Sequence, residues 1–177
     1  MRLTLWTDYA LRTLIFVGAK NGQLATIAEI AKSFDVSKTH LMKVVNQLGQ
    51  LGYLKTVRGK SGGISLARPP SEIVVGAVVR DTEDDLAVMG CLASAGFCRI
   101  EECCFLHDAL RQATRAFLAT LDGYTLADLL APHARLVHSL EIAPGISISE
   151  LLRFPETYFD QPIAGASSCA LSRDGHP

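Results

Sequence analysis

Apolar positions between residues 4 and 19 fall at Trp6, Tyr9, Ala10, Leu14 and Val17, a helical spacing that leaves Arg12 and Thr13 on another face. Asn21-Gly22 stops that helix. Thr26-x-x-Glu29 is a capping box, in which hydroxyl and carboxylate satisfy the free N–H groups of a new helix with Ile27, Ile30 and Ala31 inward and Phe34 following. Ser37 predicts the N-cap of a third helix that turns Leu41, Val44, Val45 and Leu48 inward. Its other face carries Lys38, Thr39, Met42, Lys43, Asn46 and Gln47, polar except for Met42. Beyond Leu51-Gly52, two strand patterns, Tyr53 to Val57 and Ile64 to Leu66, flank the basic tip Arg58-Gly59-Lys60-Ser61-Gly62-Gly63. Pro69-Pro70 closes this unit, and Ser71-Glu72 predicts the start of a helix through Ile73, Val75, Val78 and Val79.

Two short helices followed by a basic hairpin is the order of a winged helix-turn-helix, whose second helix enters the major groove while the hairpin tracks the backbone or minor groove. The expected fold class is therefore mainly α with a small β-hairpin, a winged helix-turn-helix extended by a long helix. That helix is announced by Leu106, Leu110, Ala113, Phe117 and Leu121, a stripe that can pack on its own domain or on a second copy. Thr125-x-x-Asp128 opens a last short helix, Leu126 to Leu130. From Pro132 the signal fades, and Ala164 to Pro177, small and polar, predicts a mobile tail. The expected division is 1–80 for DNA binding, 81–131 for a cysteine loop and the dimerisation helix, and 132–177 for a C-terminal extension.

Charge sharpens this picture. The 177-residue chain has a formal net charge of −1, yet residues 1–80 hold 11 Lys/Arg against 4 Asp/Glu. Residues 81–177 hold 6 against 14 and no lysine. A basic half that also reads as a winged helix points to double-stranded DNA. Lys38 and Lys43 on the third helix and Arg58 and Lys60 on the hairpin are the expected phosphate contacts. Ser37, Thr39 and His40 stand where base edges are read. Trp6 and Tyr9 are assigned to helix packing, and His133, His138 and His176 to the surface. No apolar run approaches the roughly 18 residues of a membrane helix. The N-terminus, with Asp8 and no small-residue cleavage site, does not read as a signal peptide, so a cytoplasmic location is expected. No nucleophile, base and orienting partner are spaced as an enzyme requires, and no enzyme is expected.

Four of the five cysteines lie in CLASAGFCRIEECC, residues 91–104. An odd count in a reducing compartment argues against a disulfide framework, and the paired knuckles of a zinc site are missing. Cys91-x₆-Cys98-x₅-Cys104 suits a loop wrapped around something larger than one ion, and an iron–sulfur cluster fits, with zinc or plain thiols as the alternatives. Cys103 diverges from its neighbour Cys104, and Cys169 stands apart in the tail. Three thiolates leave one ligand position to an oxygen or nitrogen donor, or open. An electron-transfer protein would explain a cluster but not the basic half.

The opening LTLWTDYALRTLIF, the block VSKTHLMKVVNQLGQLGYLKTVRGKSGGISLARP, the three-cysteine loop and FLATLDGYTLADLL resemble the Rrf2 family of winged-helix regulators over roughly residues 1–130. TDYALR and LDGYTLADL point to its nitric-oxide-sensing branch. The resemblance implies a homodimer paired through the long helix, with one cluster per subunit on Cys91, Cys98 and Cys104, [4Fe–4S] favoured over [2Fe–2S]. It implies repression at an inverted-repeat operator, released when nitric oxide nitrosylates the iron. The first cysteine gap is longer than the family's. A sister branch that governs iron–sulfur assembly is the alternative, since His107 follows Cys104 by three residues as in its loop. For the fourth ligand Asp8, inside TDYALR, is favoured over His107, because a carboxylate from the DNA-binding half would tie cluster state to operator grip.

Overall fold

Helix α1 (Leu5–Ala19) starts at Thr4, whose hydroxyl accepts a hydrogen bond from the Thr7 N–H, and ends where Asn21 and Gly22 take positive φ. The computed structural model describes residues 2–93, 100 and 103–142. The tail from Ala164, Cys98, Cys169, His176 and the side chain of Cys91 lie outside the described residues.

The predicted inward positions Ala10, Leu14 and Val17 are buried, and Trp6 and Tyr9 pack against the core. Thr13 departs from expectation: it is fully buried rather than turned outward. The reason is that α1 is covered on more than one side, by α3 (Lys38–Gln50) and by α4 (Val75–Thr82), so its buried arc is wider than one amphipathic stripe. The Thr13 hydroxyl finds no partner among the described residues.

The capping box before α2 (Ile27–Phe34) forms with both its hydrogen bonds, and Asp35 closes the helix in the left-handed region at φ 51°. In α3 the four expected positions are buried, none more than 5% exposed. Ser37 is its N-cap by position but makes no side-chain capping bond. Strands β1 (Leu54–Val57) and β2 (Gly63–Leu66) pair antiparallel, Leu54 opposite Leu66 and Val57 opposite Gly63. Ala25 adds a bridge to Ile64 through two backbone hydrogen bonds, fastening the hairpin to the α1–α2 loop.

The helix expected from Ser71 divides in two. Pro70–Glu72 is a single 3₁₀ turn, Ile73 and Val74 are extended, and only then does α4 begin. Ile73 and Val75 instead exchange backbone hydrogen bonds with Leu126 and Tyr124, which anchors the segment to the start of α7 (Leu126–Leu129). Thr125 and Asp128 form the expected capping box there.

Helix α5 (Gly90–Ala93) packs against α6 (Phe105–Asp122). The stripe on α6 is not a buried seam: Leu110, Phe117 and Leu121 are half-buried, Leu106 and Ala113 are exposed, and no residue of the helix is fully buried. The half-buried residues mark the side turned toward the fold, while Phe105 and Leu106 stay largely exposed among the described residues. After Pro132, where periodicity is silent, α8 (His133–Ser139) packs Leu136 and Val137 against the core, and Leu140 and Ile142 behind it are buried. His133, expected at the surface, is half-buried with Nε2 2.9 Å from the Ala19 carbonyl oxygen; His138 is exposed. No helix among the described residues is long and apolar enough to cross a membrane.

Candidate functional site

The inner face of α3 is spent on the core, which forces its remaining side chains outward. Ser37, Lys38, Thr39, His40, Met42, Lys43 and Asn46 are all exposed. The α3–β1 contact sets the wing beside this helix, and Lys55, Val57, Arg58 and Lys60 are exposed along it. The tip turns tightly, with Gly59 at φ 119° and the Gly62 N–H donating to the Gly59 carbonyl at 3.0 Å. A side chain at position 59 would strain that backbone.

Several cations elsewhere are occupied, while Arg2, Arg111, Arg115 and Arg135 form no ion pair among the described residues. Arg12 meets Asp8 at 2.8 Å, Lys20 meets Glu29 at 2.6 Å, Arg80 meets Asp122 at 2.6 Å, and Lys32 lies 3.8 Å from Glu141. Arg68 donates to the carbonyls of Leu51 and Gly52 and stacks over the Tyr53 ring at 4.5 Å. Among the described residues, none of Lys38, Lys43, Lys55, Arg58 and Lys60 forms an ion pair. Unpaired cations gathered on one helix and the neighbouring hairpin are the electrostatic footprint of a polyanion site. Lys55 was not expected; it is exposed, like Thr56 and Val57, in a strand of which only Leu54 is buried. The His40 ring stacks on Tyr9 with centroids 6.5 Å apart, which ties the reading helix to α1.

The reading unit is braced by four consecutive residues at the end of α4. Arg80 makes two hydrogen bonds to Asp122, at 2.6 and 2.7 Å. Asp81 accepts from the Tyr53 hydroxyl at 2.5 Å. Thr82 donates to the Thr7 hydroxyl at 3.0 Å. Glu83 accepts from the N–H and hydroxyl of Thr4 at 2.7 and 3.0 Å. The end of α6, the base of the wing and both ends of the first turn of α1 thus meet at one segment. Burial first, and the bond to Asp81 second, push the Tyr53 phenol far above its ordinary pKa, so it stays a donor. The Arg80 guanidinium holds the Asp122 carboxyl below its usual range. Gly76 permits this contact, since a Cβ there would overlap the Asp122 carboxylate. Sequence reasoning missed the junction because its partners are separated by 28 to 79 residues.

Cys91 is on α5, and Cys104 is the half-buried N-cap of α6, where its side chain makes no capping hydrogen bond. Cys103 is exposed, with Sγ 3.5 Å from the Ile100 carbonyl oxygen. His107 lies one turn beyond Cys104, mostly covered, its Nδ1 3.5 Å from Asp108. Asp8 lies in the first turn of α1, partly exposed and paired with Arg12. Among the described residues no three His, Cys, Asp or Glu side chains converge, so Asp8 is not brought to Cys104 and His107 within one protomer. The donor set still fits an iron–sulfur group in kind: soft thiols at Cys91 on α5 and at Cys104 where α6 begins, two helices that pack together.

Comparison with known proteins bears on both regions. Residues 3–132 match the Rrf2 family, described as "Iron-dependent Transcriptional regulator". The chain is 51% identical over 138 residues to the HTH-type transcriptional regulator NsrR of Geobacillus kaustophilus (strain HTA426), covering 77% of this chain and 94% of that protein. It is 49% identical over 132 residues to the regulator of the same name from Bacillus subtilis (strain 168), covering 73% and 90%. The fold is similar to the solved structure of CymR, the global cysteine regulator of B. subtilis, with a TM-score of 0.61 at 23% identity over 73% of this chain and 95% of that one. The winged-helix fold class and the Rrf2 resemblance therefore hold, and the chain belongs to the Rrf2 family of helix-turn-helix transcriptional regulators.

Proposed function

We propose that this chain is an iron–sulfur-dependent repressor that binds an inverted-repeat operator as a homodimer and releases it in response to nitric oxide. The observation that carries the reading is the clustering on α3 and the adjoining wing of exposed cations that form no ion pair among the described residues, where Arg12, Lys20, Lys32 and Arg80 are paired. Residues 1–80 grip DNA through Lys38, Lys43, Arg58 and Lys60, with Ser37, Thr39 and His40 at base edges. Residues 81–131 carry the cysteine loop and the pairing helix. The identity with regulators named NsrR supports the nitric-oxide signal.

The exposed apolar surface of α6, including Leu106 and Ala113, supports the dimer, since a long helix with no fully buried residue leaves apolar area for a second surface to cover. Cys91, Cys98 and Cys104 would hold the cluster, [4Fe–4S] and one per subunit, with Asp8 as fourth ligand, from the partner subunit where the protomer does not bring it near. When bound, the cluster supplies an iron centre that reacts with nitric oxide. The chain supplies the coupling. A change in what Asp8 contacts moves the first turn of α1, which Thr4 and Thr7 tie to Glu83 and Thr82. The same segment holds the wing through Tyr53 and α6 through Asp122. The spacing of two reading heads can thereby follow an event at the loop.

The test is anaerobic purification, a visible spectrum, and operator binding before and after nitric oxide. A coloured protein that loses its operator shift on exposure is expected; colour without DNA affinity would leave an electron-transfer protein. A second reading, the iron–sulfur-assembly branch, is favoured by His107, mostly covered and one turn from Cys104. Asp8→Ala is expected to alter the spectrum and the nitric-oxide response while His107→Ala alters neither. The reverse would assign the position to His107.

A further inference from the structure

Met42 stands half exposed, at 51%, in the middle of the helix whose other outward side chains are polar. It belongs to no part of the core cluster. Thr39 precedes it by three residues and Asn46 follows by four, so hydroxyl, thioether and amide sit side by side on the helix surface. Lys38 and Lys43 flank the group, exposed and without ion pairs among the described residues. A self-contact at this patch would bring like charges together, whereas a polyanion groove would take the cations and the apolar group at once. The major groove offers one apolar feature, the thymine methyl, and its paired adenine offers the acceptor and donor that an Asn amide matches. We propose that Met42 and Asn46 are specificity-determining residues that select an A·T pair in each operator half-site, Met42 against the thymine methyl and Asn46 on the adenine edge. The proposal rests on the DNA-binding reading above.

Uracil in place of thymine removes that methyl and nothing else. The experiment takes the full-length protein, purified anaerobically, and first selects an inverted-repeat duplex from a random-sequence pool. Affinity is then measured on the selected duplex with single thymines replaced by uracil, and single adenines by 7-deazaadenine, at each symmetry-related pair. The wild type is expected to lose about four-fold at one position per half-site, the contribution of one buried methyl. Met42→Ala is expected to bind thymine and uracil duplexes equally there, while keeping the wild-type salt slope on non-specific DNA, which shows the fold and phosphate grip intact. Asn46→Ala is expected to become indifferent to 7-deazaadenine at that base pair or its neighbour. A wild type indifferent to uracil everywhere, or a Met42→Ala protein that retains the four-fold effect, overturns the assignment. Failure to enrich any duplex overturns the DNA-binding reading beneath it, a separate result from either.

Discussion

Helices α3 and α6 both present a long outward face, and the two faces differ in kind. The 13 residues of α3 bury Leu41, Val44, Val45 and Leu48 almost completely and show solvent lysines, Thr39 and Asn46. The 18 residues of α6 bury nothing completely and show solvent Phe105 at 90% exposure, Leu106 at 57%, and alanines at 109, 113 and 116. A helix settled on its own core can leave its outer face cationic and open, because that face is solvated until a polyanion arrives. A helix with apolar groups on two sides is settled only when a second protein surface covers the outer one. This contrast supports the proposed division of labour, DNA at α3 and a second subunit at α6.

Charge placed on the outer face of α6 is the strongest challenge to that contrast. Ala113→Glu combined with Ala116→Glu should convert the proposed dimer to a monomer, since carboxylates left unpaired in an interface cost about 3–5 kcal/mol, or more than a hundred-fold in association. Sedimentation measures the mass. Lys43→Glu on α3 should leave that mass unchanged while removing operator binding; an unchanged mass in the α6 variant would break the comparison.

Next in size is the inner face of α3. Leu41→Ala should destabilise by about 2–5 kcal/mol in urea unfolding, because Leu41 is 1% exposed and leaves a cavity. Leu106→Ala on the outer side of α6, 57% exposed, should cost little in the monomeric background and more in the proposed dimer. Equal losses in both backgrounds would mean that α6 is anchored at home.

A smaller effect is expected at the wing. Arg58→Ala should weaken operator binding and reduce the slope of log K against log salt by about 0.9, one phosphate contact. Arg12→Ala, whose cation is already paired with Asp8, should leave the slope unchanged.

The smallest concerns the clamp between α4 and α6. The bond from Arg80 holds the Asp122 pKa below its ordinary 3.8, so its stabilisation is present above that value and is lost as pH falls through the depressed one. Arg80→Gln should therefore lower the melting temperature slightly at neutral pH and converge with the wild type in acid. The partially exposed pair makes the effect small. Melting curves from neutral pH to below pH 3 measure it.

Local chemistry alone located much of this molecule. Both capping boxes, the inward residues of α3, and the hairpin with its basic tip are legible because each depends on residues within a few positions of one another. The family resemblance is carried by the same local blocks. Ser71 misled because it satisfied a helix-start rule locally, while the extended Ile73-Val74 pair answers to Tyr124 and Leu126, some fifty residues away. Helix α8 carries too short a stripe for periodicity to detect, and its place is set by what Leu136, Leu140 and His133 meet on α1 and α2.

The sequence by itself determined which residues could read DNA and which thiols could hold iron, because residue type and short spacing decide that chemistry. The tertiary structure decided which of them are free to act. Only folding shows that Arg12, Lys20 and Arg80 are already paired while Lys38, Lys43, Lys55, Arg58 and Lys60 are not, since ion pairing depends on side chains brought together across the chain. Only folding turns Thr13 inward and gathers the ties of Arg80, Asp81, Thr82 and Glu83 onto three separate elements. Burial on several sides and contacts between distant residues are properties of packing, and no local spacing encodes them.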